Sequence, residues 1–157
     1  MSKATKRTDL IDNVGQESIV TVTSDATYTV TNAQSGTTFL LNKADGIVFT
    51  MPDGGAGDII GNTYTFKILT TASSNAYTIS GATSDNLLKG MALVTSDTAG
   101  AADVFQPGGT DHQIIMDGAT KGWLEGGVIT LTCVAADVWF VHAVLGGVGA
   151  TIATPFT

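Results

Sequence analysis

The residues Asn62-Thr63-Tyr64-Thr65-Phe66-Lys67-Ile68-Leu69 alternate strictly between apolar and polar side chains. A pleated strand sends successive side chains to opposite faces, so this pattern puts Tyr64, Phe66 and Ile68 on one face and Thr63, Thr65 and Lys67 on the other. Other runs also read as strands: Ser18–Thr23, β-branched almost throughout, Ala26–Thr31 with Tyr28 and Val30 on one face, the short buried runs Thr38–Leu41 and Gly46–Met51, and Ala76–Ile79, Gln113–Met116, Val128–Val134 and Val138–Val144. Turn-forming pairs separate the runs, among them Ser35-Gly36, Asp45-Gly46, Asp53-Gly54, Ser80-Gly81 and Asp117-Gly118. No helical periodicity lasts beyond two turns. The expected fold is all-β, a β-sandwich or jelly-roll-like single domain.

The last two runs read as an antiparallel hairpin, with Ile129, Leu131 and Cys133 facing Trp139, Val141 and Ala143 across the pair. This reading also disposes of a membrane helix over residues 126–150. Asp137 and His142 lie near the middle of that stretch, and a charge at a bilayer centre costs a few kcal/mol.

Composition narrows the function classes. Charged residues make up 13% of the 157 and hydrophobic ones 43%, against about 25% charged in an average domain. Threonine accounts for about one residue in six; it is β-branched yet polar, and suits a half-exposed pleated surface. A low-charge, strand-rich chain is expected to cover its apolar faces with other copies of itself. The formal net charge is −7, and Lys3, Lys6 and Arg7 supply three of the basic residues. The acidic remainder lacks the clustered Lys and Arg of a nucleic-acid face. A basic start without a following apolar segment does not read as a signal peptide. The single Cys133 rules out an internal disulfide and suits a reducing cytoplasm.

Residues 1–17 are aperiodic and read as an N-terminal arm, 18–149 as the β-domain and 150–157 as an extended C-terminal tail. Both ends are expected to gain order from a neighbour. Thr95–Thr110, rich in Ala, Gly and Asp, reads as a long surface loop and a contact site. No internal repeat is evident.

No catalytic or cofactor constellation emerges. Gly54-Gly55-Ala56-Gly57-Asp58 lacks the Asp position of a calcium-binding repeat, and no Walker lysine follows any glycine run. Asp111-His112 with Asp117 has no second His or Cys to complete a metal site, and reads as surface loop. His142 falls on the sheet face opposite Trp139 and Val141, where it is a subunit-interface candidate. Cys133 reads as a buried, inert thiol. Tyr64, Tyr77 and Trp139 read as core, whereas Trp123, near a turn, is a candidate for an interface or a sugar contact. No catalytic, cofactor or metal residues are expected.

Two passages together resemble virion proteins of tailed phages, above all small capsid decoration proteins and head-associated β-domains. One is Val48-Phe49-Thr50-Met51-Pro52 leading through a glycine-rich turn to Gly61-Asn62-Thr63-Tyr64-Thr65-Phe66. The other is Gly127–Cys133 followed by Asp137-Val138-Trp139-Phe140-Val141. The resemblance spans roughly residues 37–145. It implies a β-sandwich or jelly roll, a homo-oligomer (a trimer) seated on the outer surface of the capsid, the major capsid protein as partner, and no enzymatic activity. Assembly in the host cytoplasm and residence on the virion follow from it, with neither nucleic acid nor membrane as partner. Lys3, Lys6, Arg7 and Asp9 of the arm become the capsid-contact candidates, and Trp123, His142 and Phe156 the subunit-interface candidates. The first passage also resembles segments of phage tail fibres, which leaves a fibre or carbohydrate-binding module as the alternative.

Overall fold

The computed structural model describes residues 18–157 except Ala56, Ala99, Trp123, Leu124 and Ala150. The arm candidates Lys3, Lys6, Arg7 and Asp9, and Trp123, lie outside the described residues.

Among the described residues eleven strands are formed: β1 (Ser18–Val22), β2 (Thr27–Thr29), β3 (Thr37–Leu41), β4 (Val48–Thr50), β5 (Thr63–Ile68), β6 (Tyr77–Ser80), β7 (Leu87–Ser96), β8 (Ala102–Phe105), β9 (Gln113–Met116), β10 (Val128–Ala135) and β11 (Val138–Gly147). They make an all-β, two-sheet sandwich. The larger sheet runs β1-β3-β5-β10-β11-β7-β8 and the smaller β2-β4-β6-β9. The helical content described is one 3₁₀ turn, Asn32–Gln34.

The first six strands alternate between the two sheets. Odd strands enter the large sheet and even strands the small one, and successive odd or even strands pair in parallel. This half of the chain is therefore wound as stacked coils, whereas a jelly roll is built from antiparallel Greek keys. The hairpin β10–β11 then fills the gap between β5 and β7, with β11 parallel to β7 over ten residue pairs. Its register is the expected one: Ile129 faces Ala143, Leu131 faces Val141 and Cys133 faces Trp139. The turn closes on Asp137 at φ 57°, the left-handed region that Asp tolerates better than most residues.

Inward side chains line up in rows that cross the sheets. Val20, Phe39, Phe66, Ile129, Ala143, Ala92 and Phe105 form one row across all seven strands of the large sheet. Tyr28, Phe49, Ile79 and Ile114 form the facing row in the small sheet. The rows meet through aromatic edges. Phe66 stacks on Phe39 at 5.2 Å and meets Phe49 edge-on at 5.2 Å, while Tyr28 lies 5.5 Å from Phe39. Such pairs add about 0.5–1.5 kcal/mol each to the burial of the rings themselves.

Two expectations are corrected here. Thr95–Thr110 is not one long loop, because it contains the end of β7 and all of β8. The inward positions of β7 are Leu88, Gly90, Ala92 and Val94, and the small Gly90 and Ala92 blur the alternation. Gly90 is required by close approach: at φ 113° a Cβ there would lie 2.1 Å from the Val141 carbonyl oxygen. The tail, in turn, docks on its own chain. Phe156, expected at a subunit interface, bridges Ile114 and is 3% exposed, extending the row Tyr28–Ile114 by a fifth side chain. His112 and Gln113 donate backbone N–H groups to the Thr157 carbonyl, and Ile115 donates to that of Pro155. The edge of β9 and the core around Ile114 within the same chain supply what the tail needs.

Candidate functional site

Strand alternation puts a second set of rows on the outward face of the large sheet. One row is Thr63, Thr132, Phe140 and Lys89; the next is Thr65, Thr130, His142 and Met91; the third is Lys67, Val128, Val144, Leu93 and Val104. The β5–β10 half is hydroxylic, and the Thr63 and Thr132 hydroxyls lie within hydrogen-bonding distance at 3.0 Å. The β11–β7–β8 half is apolar. Phe140 is 51% exposed, Met91 46%, Val144 45% and Val104 59%. No carboxylate stands in the three rows. Beyond residue 17 the sequence nevertheless has eleven carboxylates against four lysines, so the acidic groups lie elsewhere.

His142 lies on this face, exposed between Phe140 and Val144 on its own strand. His112 does not join it; its ring Nδ1 lies 3.2 Å from the Thr110 carbonyl. The neighbouring Asp111 carboxylate accepts the Gly108 N–H at 2.8 Å, so Asp111 and His112 are both engaged in shaping one loop. Asp117 is a turn former. Burial works to raise its pKa, but hydrogen bonds from the Lys121, Ala119 and Thr120 groups outweigh this and hold it below the usual carboxylate value.

Composition alone gave no sign of the most connected polar residue, Asn86, which is fully buried. Its Oδ1 accepts the Gly54 N–H at 2.9 Å and lies 3.4 Å from the Trp139 indole N–H. Its amide donates to Thr83 Oγ1 at 2.8 Å, Asp53 Oδ1 at 3.1 Å and Asp137 Oδ1 at 3.4 Å. Asn86 thereby ties together the 53–55 turn, the strand entry at Thr83 and the β10–β11 turn. Its amide, followed by the Gly55 N–H, holds the Asp53 carboxyl below its ordinary value. Every polar atom of the Asn86 side chain is engaged within the chain, which makes this a structural hub.

Cys133 is buried, and burial pushes its thiol pKa up, away from the reactive thiolate. Tyr77 is likewise structural: its hydroxyl donates toward the Lys43 carbonyl at 2.7 Å and accepts the Lys43 N–H at 3.0 Å. Among the described residues no group of three His, Cys, Asp or Glu side chains is arranged to hold a metal ion. A groove of about 430 Å³ crosses the outward row Thr27–Val48–Thr78 of the small sheet, with Lys43, Asp45 and Asn75 on its rim. Its lining residues include no aromatic ring on which a sugar would stack.

No protein-family model matches the chain, and no curated protein matches it in sequence.

Proposed function

We propose that the chain is a structural virion protein, a capsid decoration protein that binds the outer surface of a phage head as a homo-oligomer and stabilises the shell. The observation that supports this best is the outward face of the large sheet, neutral or basic throughout and half apolar, on an otherwise acidic body. A face of this kind is made for lasting contact with protein, since monomeric proteins seldom leave large apolar side chains clustered in water. The resemblance of residues 48–66 and 127–141 to tailed-phage head proteins supplies the shell as partner. Among the described residues, the Asn86 side chain, Asp111 and Cys133 are each engaged or buried within the fold, in keeping with a role in binding.

The test is co-sedimentation with heads of the encoding phage that were assembled without the protein, followed by electron microscopy. Saturable binding on the outside, with added resistance of the shell to heat, is expected. A protein that stays in the supernatant overturns the decoration role. Removal of residues 2–15, carrying Lys3, Lys6, Arg7 and Asp9, is expected to weaken that binding. Binding to host-cell glycans without binding to heads would favour the fibre-tip alternative.

A further inference from the structure

We propose that the outward face of β11, β7 and β8, centred on Phe140, Met91, Val144 and Val104, seats a second copy of this chain. The proposal gives the self-association in the preceding reading a definite surface, and rests on that reading for the identity of the occupant.

Three observations select a second copy. The first is size. Strands β5, β10, β11, β7 and β8 are neighbours, and β7 and β11 are each ten residues long. With β5, β10 and β8 shorter at six, eight and four residues, about 4.8 Å between strands and about 3.3 Å per residue outline roughly 600 Å². This is at the lower end of what one partner contributes to a specific interface. The second is charge. The rows around Phe140 hold Lys89, Lys67 and His142 but no carboxylate, in a chain of net charge −7. Two copies that met over the acidic turns would bring carboxylates together, and like charges in a contact oppose association. Through this face they meet without that repulsion. The third is composition. Phe140 and Met91, each about half exposed, belong to the residue types enriched at the centres of interfaces. They stand beside the threonines of β10, which tolerate burial against another sheet. A two-fold contact would place two such faces about 10 Å apart, as in an ordinary sandwich. In a trimer the same stripe turns toward the three-fold axis.

The experiment compares the wild-type full chain with Phe140→Glu, Met91→Glu and Ile19→Glu by sedimentation velocity and light scattering over a concentration series. Ile19 is 59% exposed on β1, the far edge strand of the same sheet, so Ile19→Glu is the control for added charge alone. Circular dichroism melts check that each variant is folded. The wild type is expected to be an oligomer of the 16.1 kDa chain. Phe140→Glu and Met91→Glu should raise its dissociation constant roughly thirtyfold or more, and Ile19→Glu should leave it within about threefold. Folded Phe140→Glu and Met91→Glu variants that keep the wild-type mass overturn this surface and leave self-association standing. A wild type that is monomeric at high concentration overturns the proposal, and head binding by that monomer would show that the decoration reading had survived separately.

Discussion

Replacing Asn86 by Ala removes the acceptor of the Gly54 N–H and of the Trp139 indole N–H, and Asn86 itself is fully buried. Both of these bonds are buried. Each orphaned buried donor costs about 1–3 kcal/mol, with the longer indole contact at the low end. Loss of the side-chain volume adds a small cavity. The expected destabilisation is about 3–4 kcal/mol, which for a domain of this size lowers the Tm by about 10 °C. Urea denaturation followed by tryptophan fluorescence and far-UV dichroism measures it. The Asp53 pKa, read by NMR titration in the same variant, should rise toward its ordinary value because its main hydrogen-bond donor is gone. Asn86→Asp separates the donor and acceptor roles. It keeps both acceptor contacts but sets a buried carboxylate beside Asp53 and Asp137. That carboxyl is held above its unfolded pKa, so the variant should gain stability as pH falls from 7 toward 5. A loss below about 1 kcal/mol in Asn86→Ala, or an Asn86→Asp variant whose stability ignores pH over that range, would refute the hub.

Further outcomes follow from the same contacts. Phe156→Ala should cost about 2–3 kcal/mol in urea melts, less than a central core cavity because a terminal segment can shift inward. It should also speed hydrogen exchange at His112, Gln113 and Ile115, which bond to the tail; unchanged exchange would mean that the tail does not dock here. Asp117 has a pKa lowered in the folded state from 3.8. Its contribution is therefore present above the unfolded value and lost as pH falls through the lower folded one. Asp117→Asn should accordingly flatten the fall of Tm with pH below about 4, and an identical slope would count against the turn's role. Native Cys133 should resist Ellman's reagent at pH 8 and react fully in denaturant; rapid native labelling would contradict its burial.

Much of the large sheet was legible where side chains alternate in size as well as in polarity. The run Tyr64, Phe66 and Ile68 and the hairpin faces Ile129–Cys133 and Trp139–Ala143 show their inward sides directly. Strand β7 was hidden because Gly90 and Ala92 occupy inward positions, and a close backbone approach selects small residues that carry no hydrophobic signal. The coiled first half was hidden for a different reason. Ser18 pairs with Thr37 and Thr38 with Thr65, offsets of 19 and 27 residues. Parallel stacking sets no fixed spacing when the intervening turns differ in length, so no repeat appears in the sequence. Of the interface candidates, His142 could be placed on the outward face by counting from Trp139. Phe156 misled because an apolar residue in a short terminal segment fits its own chain's core as well as a neighbour's surface. Asn86 was invisible because its importance comes from three turns that converge only in space.

The late hairpin at the middle of the large sheet has a kinetic consequence. Strands β5 and β7 precede Val128–Gly147 in the chain, yet their pairing edges are completed only when that ribbon slides between them. Until then a nascent molecule carries two bare edges, each able to recruit a ribbon from any nearby molecule. Refolding at high concentration should therefore yield entangled products that exchange this segment, and dilution should favour each chain closing on its own.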